Sequence, residues 1–299
     1  TIFLFYAIKV MTVVRNKEYD LIFATSSRLA TIALATMISK IKKVPIFNDI
    51  RDIFYETLEQ LKKGKLLKIF LPLVSTIESF TIMNSTKINL VSEGFFDYFK
   101  KKYPGKSFTY LPNGIDSIFL ENNFNVTKTK QYLEVLYAGN IGDGQGLEHI
   151  IPKLAKHFKQ QIKFKIIGSG SKLSELKKII KDLNCQNIII LKPLSRIKLI
   201  KHYKNADILF LHLNNVMAFE RVLPSKIFEY AATGKPIWAG VSGNAKLFIK
   251  KNVQNVAVFD PCDMKTGIES FKNLQIKNTD RGNFCKEFSR VEISKNIIN

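Results

Sequence analysis

The densest set of chemically capable residues is the run Pro224-Ser225-Lys226-Ile227-Phe228-Glu229-Tyr230. Proline is tolerated in the first turn of a helix, so the spacing predicts a helix over 225–232 with Ser225 and Lys226 at its positive end. Main-chain amides there, with the Ser225 hydroxyl and the Lys226 ammonium, are suited to a diphosphate. Glu229 falls three residues beyond Lys226, on an adjacent part of the helix surface. Its carboxylate can accept hydrogen bonds from paired sugar hydroxyls such as a ribose diol. A surface ion pair between Lys226 and Glu229 accounts for the spacing equally well.

Two glycine-bearing runs have a related character. Gly139-Asn140-Ile141-Gly142-Asp143-Gly144-Gln145-Gly146 follows an expected strand and opens an expected helix, where a sharp turn brings amides close to an anion. Its order is neither the dinucleotide GxGxxG nor a P-loop. Gly168-Ser169-Gly170 holds the equivalent place after the next strand. A third constellation is Arg51-Asp52 with Glu56. If that segment is helical, Asp52 and Glu56 share a face, and like charges there raise one carboxyl pKa, which suits Asp52 to proton transfer. Asn113-Gly114-Ile115-Asp116 reads as a turn. The four histidines, His149, His157, His202 and His212, assemble no Ser-His-Asp set; His212, at a strand end, lies nearest a ligand position.

The elements that must position these residues alternate. Expected strands at 20–24, 44–47, 88–91 and 108–111 enclose helices at 29–41, 58–83 (interrupted near Gly64 and Pro72) and 94–102. After a polar stretch at 121–131, strands at 133–137, 164–167, 187–191, 208–211 and 236–239 alternate with helices at 147–158, 172–183, 196–203 and 225–232. Apolar strands without strict alternation belong to parallel sheets covered by helices. The restart implies two Rossmann-like domains, with ligands at the C-terminal ends of the strands. We expect domains at 1–122 and 131–280, and a C-terminal helix at 281–299 packing back on the first domain.

With 299 residues, 46% of them apolar, the chain can supply a core for each domain. Three scattered cysteines suggest neither disulfides nor a zinc site. The apolar opening, Ile2 to Ile8, lacks the flanks of a signal peptide and is expected to be a buried helix whose preceding part is missing. A net charge of +21 favours phosphate-bearing partners. Lys62, Lys63, Lys65 and Lys68 interleave with leucines across 61–71, a mixture suited to an anionic membrane surface.

Taken as an ordered set, Arg51-Asp52, Val91-Ser92-Glu93-Gly94, Asn113-Gly114-Ile115-Asp116, Tyr137-Ala138-Gly139-Asn140-Ile141-Gly142, Ile167-Gly168-Ser169-Gly170, Ala206-Asp207-Ile208, the Pro224 to Tyr230 run and Ala232-Thr233-Gly234-Lys235-Pro236 resemble the nucleotide-sugar-dependent glycosyltransferases of the GT-B fold, in the retaining family 4. The resemblance extends from about residue 20 to about residue 260, and is nearest to the branch that builds bacterial O-antigen and capsule, including N-acetylfucosamine-like transferases. It implies two Rossmann-like domains facing across a cleft, the first incomplete at its N-terminus. It further implies transfer of a hexosyl or N-acetylamino-deoxyhexosyl unit from a nucleotide diphosphate sugar, UDP-linked by preference, to a polyprenyl-diphosphate-linked saccharide. By matching position, Glu229 binds the ribose, Ser225 and Lys226 approach the diphosphate, and Gly139, Asn140, Gly142 and Gly168 line the donor. Arg51, Asp52 and Glu56 face the acceptor, and Asp52 and Lys226 serve the chemistry.

The commoner family pattern has a second glutamate eight residues before Glu229; here that position is Arg221, and Glu220 is one step away. Positive charge must then come from Lys226 with Arg196 or Arg221. No metal or other cofactor is implied. The location implied is the cytoplasmic face of the cell membrane, as a peripheral protein. The initial strand and glycine-rich loop of the family do not precede Tyr19, so little transferase activity is expected of this chain alone. The competing readings are a nucleotide-sugar epimerase, a non-catalytic partner in polysaccharide assembly and a basic nucleic-acid-binding protein; the last lacks an aromatic stacking stripe.

Overall fold

A computed structural model describes residues 2–61, 65–125 and 131–298. Lys62, Lys63 and the side chains of Lys65 and Lys68 therefore lie outside the described residues, as do residues 126–130 of the polar stretch. The chain divides into two compact units, Thr1–Pro112 and Asn113–Asn299.

The first unit runs α1 (Ile2–Val14), β1 (Ile22–Ser26), α2 (Leu29–Lys42), β2 (Ile46–Ile50), α3 (Phe54–Leu61), α4 (Lys65–Met83), β3 (Lys87–Leu90), α5 (Phe96–Lys102) and β4 (Thr109–Tyr110). Its strands form one parallel sheet in the order β1-β2-β3-β4. β2 starts and ends later than the expected strand at 44–47, which brings Asn48 and Asp49 inside it; all five of its residues are buried. Three further expectations are corrected. Pro72 does not interrupt α4, which continues through it. Asp52 and Glu56 do not share a helix face, because α3 begins at Phe54 and Asp52 precedes it. Nor is α1 buried: it has no buried residue, and Leu4 and Phe5 are exposed. The sequence of α1 is apolar on every side, so hydropathy could not say how much of it finds a partner. One side borders a groove shared with Leu34, Met37, Ile38 and Ile41 of α2.

The second unit runs α6 (Ser117–Leu120), β5 (Leu133–Asn140), α7 (Leu147–Phe158), β6 (Ile162–Ser169), α8 (Leu173–Asp182), β7 (Ile188–Leu191), α9 (Arg196–Asn205), β8 (Ile208–His212), α10 (Met217–Glu220), α11 (Lys226–Ala232), β9 (Ile237–Gly240), α12 (Gly243–Asn252), β10 (Val256–Phe259), α13 (Met264–Phe271), α14 (Gly282–Glu287) and α15 (Arg290–Ile298). Six parallel strands follow the order β10-β9-β8-β5-β6-β7. Chain direction across the sheet reverses between β5 and β8, the point at which doubly wound sheets open a ligand crevice beyond their strand ends. Under the sheet, Phe158, Phe164, Phe210, Phe259 and Phe271 surround the fully buried Trp238, whose Nε1 donates to Ser270 Oγ at 3.1 Å. Each such ring contributes roughly 1.5–3 kcal/mol by leaving water, enough to fix the strands that carry the site. Phe284 of α14 and Phe288 pack on Phe228 and Phe248, placing the end of the chain against α11 and α12.

Candidate donor-binding site

Beyond the C-terminal ends of β5 and β6 lies a cavity of about 460 Å³. Its walls are Ala138, Gly139 and Asn140 of β5, Ile167, Gly168 and Ser169 of β6, Pro193 and Leu194 after β7, Leu199 and Tyr203 of α9, and Ser225, Lys226 and Glu229 at α11.

Glycine is required at two of these positions. Gly139 and Gly168 face each other in the β5–β6 register, and a Cβ on Gly168 would overlap the Gly139 carbonyl oxygen. Gly139 itself has φ 152, and the Lys226 side chain lies across it where a Cβ would stand. Lys226 Nζ sits 5.6 Å from the centre of the Tyr137 ring. Tyr137 in turn donates its hydroxyl to the Asn140 carbonyl at 2.6 Å, fixing the strand end. The lysine thus rests between a bare backbone and an aromatic face, with its ammonium in the cavity wall. Burial pushes its pKa down, and Glu229 opposes that shift.

Glu229 is half-buried. Burial raises its carboxyl pKa, while Arg196 and Lys226 work against the rise. Its ion-pair partner is Arg196, whose Nη2 donates to Glu229 Oε1 at 2.8 Å. The same guanidinium pairs with Asp116, stands 5.6 Å over the Phe119 ring, and shares Asp116 with Arg290, whose Nε is 2.6 Å from Asp116 Oδ1. A chain of alternating charge therefore runs Glu229, Arg196, Asp116, Arg290. Of the two readings the spacing allowed, the surface pair of Lys226 with Glu229 is not formed, and Glu229 pairs instead with a residue 33 positions upstream.

Of the residues singled out from sequence, Gly139, Asn140, Gly168, Ser225, Lys226 and Glu229 share the cavity, and Arg196 flanks it through Glu229. Gly142 does not line it; the Gly142 carbonyl closes a turn with the Gln145 amide at 3.0 Å. Ser225 is the N-cap of α11 but makes no capping bond with its side chain. His212 is buried rather than cavity-facing. Its Nδ1 lies 2.6 Å from the Gln145 carbonyl and its Nε2 accepts the Cys262 amide at 2.9 Å, so the ring is neutral with the proton on Nδ1. Burial pushes its pKa down to about 4. Asp116 and Tyr137 were not among the sequence candidates. Asp116 lies in the noted turn, but nothing local shows that its carboxylate meets Arg196, 80 residues away.

The acceptor-side candidates are in the first unit. Arg51 Nε lies 3.0 Å from Asp49 Oδ2. Asp52 accepts a hydrogen bond from Thr57 Oγ1 at 3.2 Å; burial raises its pKa, against the lowering effect of Thr57 and the Ile53 amide. Glu56 stands in the first turn of α3. Among the described residues no group of three or more His, Cys, Asp or Glu side chains could hold a metal ion, and no helix is long and apolar enough to cross a membrane.

A doubly wound sheet with a glycine-edged crevice, and a lysine and a glutamate on one helix beside it, defines an α/β unit of the ligand-binding kind. Residues 119–288 match the family model for glycosyl transferases group 1. The chain belongs to that family and is a glycosyltransferase. Among solved structures it resembles the lipopolysaccharide outer core galactosyltransferase WaaB in its apo form (14% identity, TM-score 0.63, covering 98% of this chain and 78% of that one). It also resembles Anabaena HepE in complex with UDP and glucose (16%, TM-score 0.71, 98% and 79%). Sucrose-phosphate synthase from Thermosynechococcus elongatus matches at 11% identity and TM-score 0.73, over 98% and 75%. These likenesses agree with the GT-B fold read from the sequence. No curated protein matches the sequence.

Proposed function

We propose that the protein transfers a hexosyl or N-acetylamino-deoxyhexosyl unit, with retention, from a UDP-sugar to a polyprenyl-diphosphate-linked saccharide during assembly of a bacterial surface polysaccharide such as O-antigen or capsule. The single observation that carries the donor half is the convergence of Lys226 and Glu229 on a cavity edged by Gly139 and Gly168. The similarity to HepE in complex with UDP and with UDP-glucose supports the choice of nucleotide.

In this reading the ribose hydroxyls donate to Glu229, displacing part of its contact with Arg196, and the apolar Pro193, Leu194 and Leu199 receive the base. The diphosphate lies on the exposed backbone at Gly139 and Gly168, beside Lys226 and Ser225. As the bond to the anomeric carbon breaks, negative charge grows on the terminal phosphate oxygen. The Lys226 ammonium, already positioned and partly removed from water, stabilises that charge without reorganising. A diphosphate also favours the charged form of the lysine, opposing the effect of burial. On the acceptor side, Arg51 and Glu56 bind and Asp52 takes the proton of the attacking hydroxyl, a role suited to a carboxyl whose pKa burial has raised. Attachment to the anionic inner face of the cell membrane accounts for the surplus of basic residues.

The test is a screen of nucleotide sugars read by released nucleotide and product mass, followed by Glu229→Ala and Lys226→Ala. We expect a donor KM raised about tenfold or more for the first, and a kcat reduced by about a hundredfold for the second. Wild-type constants in both variants would reject the donor site.

A further inference from the structure

Each strand of the first sheet places a polar residue at its penultimate position, and the four lie at one level. Thr25 is in register with Asp49, Asp49 with Asn89, and Asn89 with Thr109. Residues at one level of a parallel sheet point to the same face, and these are linked. Thr25 Oγ1 donates to Asp49 Oδ2 at 2.7 Å, Asn89 Nδ2 to Asp49 Oδ1 at 2.7 Å, and Thr109 Oγ1 to Asn89 Oδ1 at 3.3 Å. The main chain of Leu111 grips the Asn89 amide from both sides, its N–H donating to Oδ1 at 2.8 Å and its carbonyl accepting from Nδ2 at 2.9 Å.

Asp49 is 4% exposed and Asn89 is 1% exposed. A carboxylate at such a place is unfavourable unless it is bonded and paired, and an apolar residue would fill the strand without that penalty. The row ends on a cation. Arg51 Nε donates to Thr25 Oγ1 at 2.6 Å and to Asp49 Oδ2 at 3.0 Å. The pair is lopsided: the arginine side chain is 38% exposed, its aspartate partner 6%. Two oxygens on Nε fix the plane of a guanidinium that has five N–H donors in all.

We infer that the row is a mount for Arg51, and that Arg51 so held binds a phosphate group of the acceptor, with Asp49 and Thr25 as positioning residues. The site stands just past the C-terminal ends of parallel strands, where such sheets take ligands, and a planar fork of fixed orientation matches phosphate oxygens. The inference rests on the acceptor role given above to the first unit.

The experiment titrates the full chain, saturated with UDP, with inorganic pyrophosphate and separately with geranyl diphosphate, by calorimetry. We expect both to bind, and binding of each to weaken about tenfold or more in Asp49→Asn, Thr25→Val and Arg51→Lys, with UDP affinity unchanged. Asp49→Asn is the informative case. It removes a negative charge, so a purely electrostatic surface would bind anions more tightly. Pyrophosphate binding that is unchanged or tighter in Asp49→Asn overturns the inference, and Thr25→Val serves the same comparison if Asp49→Asn lowers the folded fraction. Weakening of both that is greater for geranyl diphosphate assigns the site to a lipid-linked phosphate; equal weakening assigns it to diphosphate alone. Failure of wild-type protein to bind UDP would reject the donor reading instead, and the dependence of pyrophosphate binding on Arg51 is then measured without UDP.

Discussion

In the proposed donor complex Glu229 accepts hydrogen bonds from two hydroxyls, which only the ionised carboxylate does at both oxygens. Burial raises its pKa, and the charge of Arg196 is the largest force against that rise. Donor affinity is therefore lost as pH falls through the Glu229 pKa, and removing Arg196 moves that loss to higher pH. For Arg196→Gln we expect the acid limb of a donor KM profile to shift upward; superimposable limbs would refute the coupling. Asp116→Asn should move the limb the other way, to lower pH, since the Asp116 carboxylate itself raises the Glu229 pKa. Sequence spacing was enough to join Glu229 to Lys226, because both stand on one helix. Asp116 and Asp49 escaped it, as their partners come from other elements and a polar residue in a strand looks the same whether it is buried or solvated.

Loops and strand ends set the next level. Gly168→Ala would drive a methyl group into the Gly139 carbonyl, so we expect the variant to lose about 1–3 kcal/mol of stability by urea unfolding and to bind donor more weakly. Wild-type values for both would show that the two strand ends have room to part. His212 ties the turn at Gln145 to the main chain at Cys262. Its pKa is about 4 in the folded protein against about 6.5 unfolded. A depressed pKa contributes stability that is complete above the unfolded value and is lost as pH falls toward the folded one, here by up to about 3 kcal/mol. Unfolding measured at about pH 7.5 and about pH 4.5 should show that loss in wild type and a smaller one in His212→Gln; equal losses would sink the assignment. The glycine-bearing turns were legible in sequence because their residue types are restrictive. β10, only four residues long, was not, and neither was the passage of α4 through Pro72. A proline removes one helical hydrogen bond, a loss that packing can offset.

For the molecule as a whole, the excess of 46 basic over 25 acidic residues gives a net charge of +21. If it serves membrane attachment, the protein should float with vesicles containing anionic lipid, fail to float with neutral ones, and detach as salt screens the contact over a Debye length of about 10 Å at 0.1 M. Flotation indifferent to lipid charge would reject that location. The repeated βα pattern made two sheets legible, since period and punctuation survive in any one sequence. How much of α1 is covered was not, because a helix apolar on all sides carries no mark of which side packs.

One modest contact bears on how the second unit holds together. The Ile115 amide donates to the Phe288 carbonyl at 2.7 Å, and the Arg290 amide to the Ile115 carbonyl at 2.9 Å. The unit's first residues are thus latched by its last, across the whole intervening chain. Opening should then be concerted rather than fraying from one side: the amide protons of Ile115 and Arg290 should exchange with solvent at a common rate. A chain ending before Phe288 should lose protection at Ile115 as well, although the cut lies far from it in sequence.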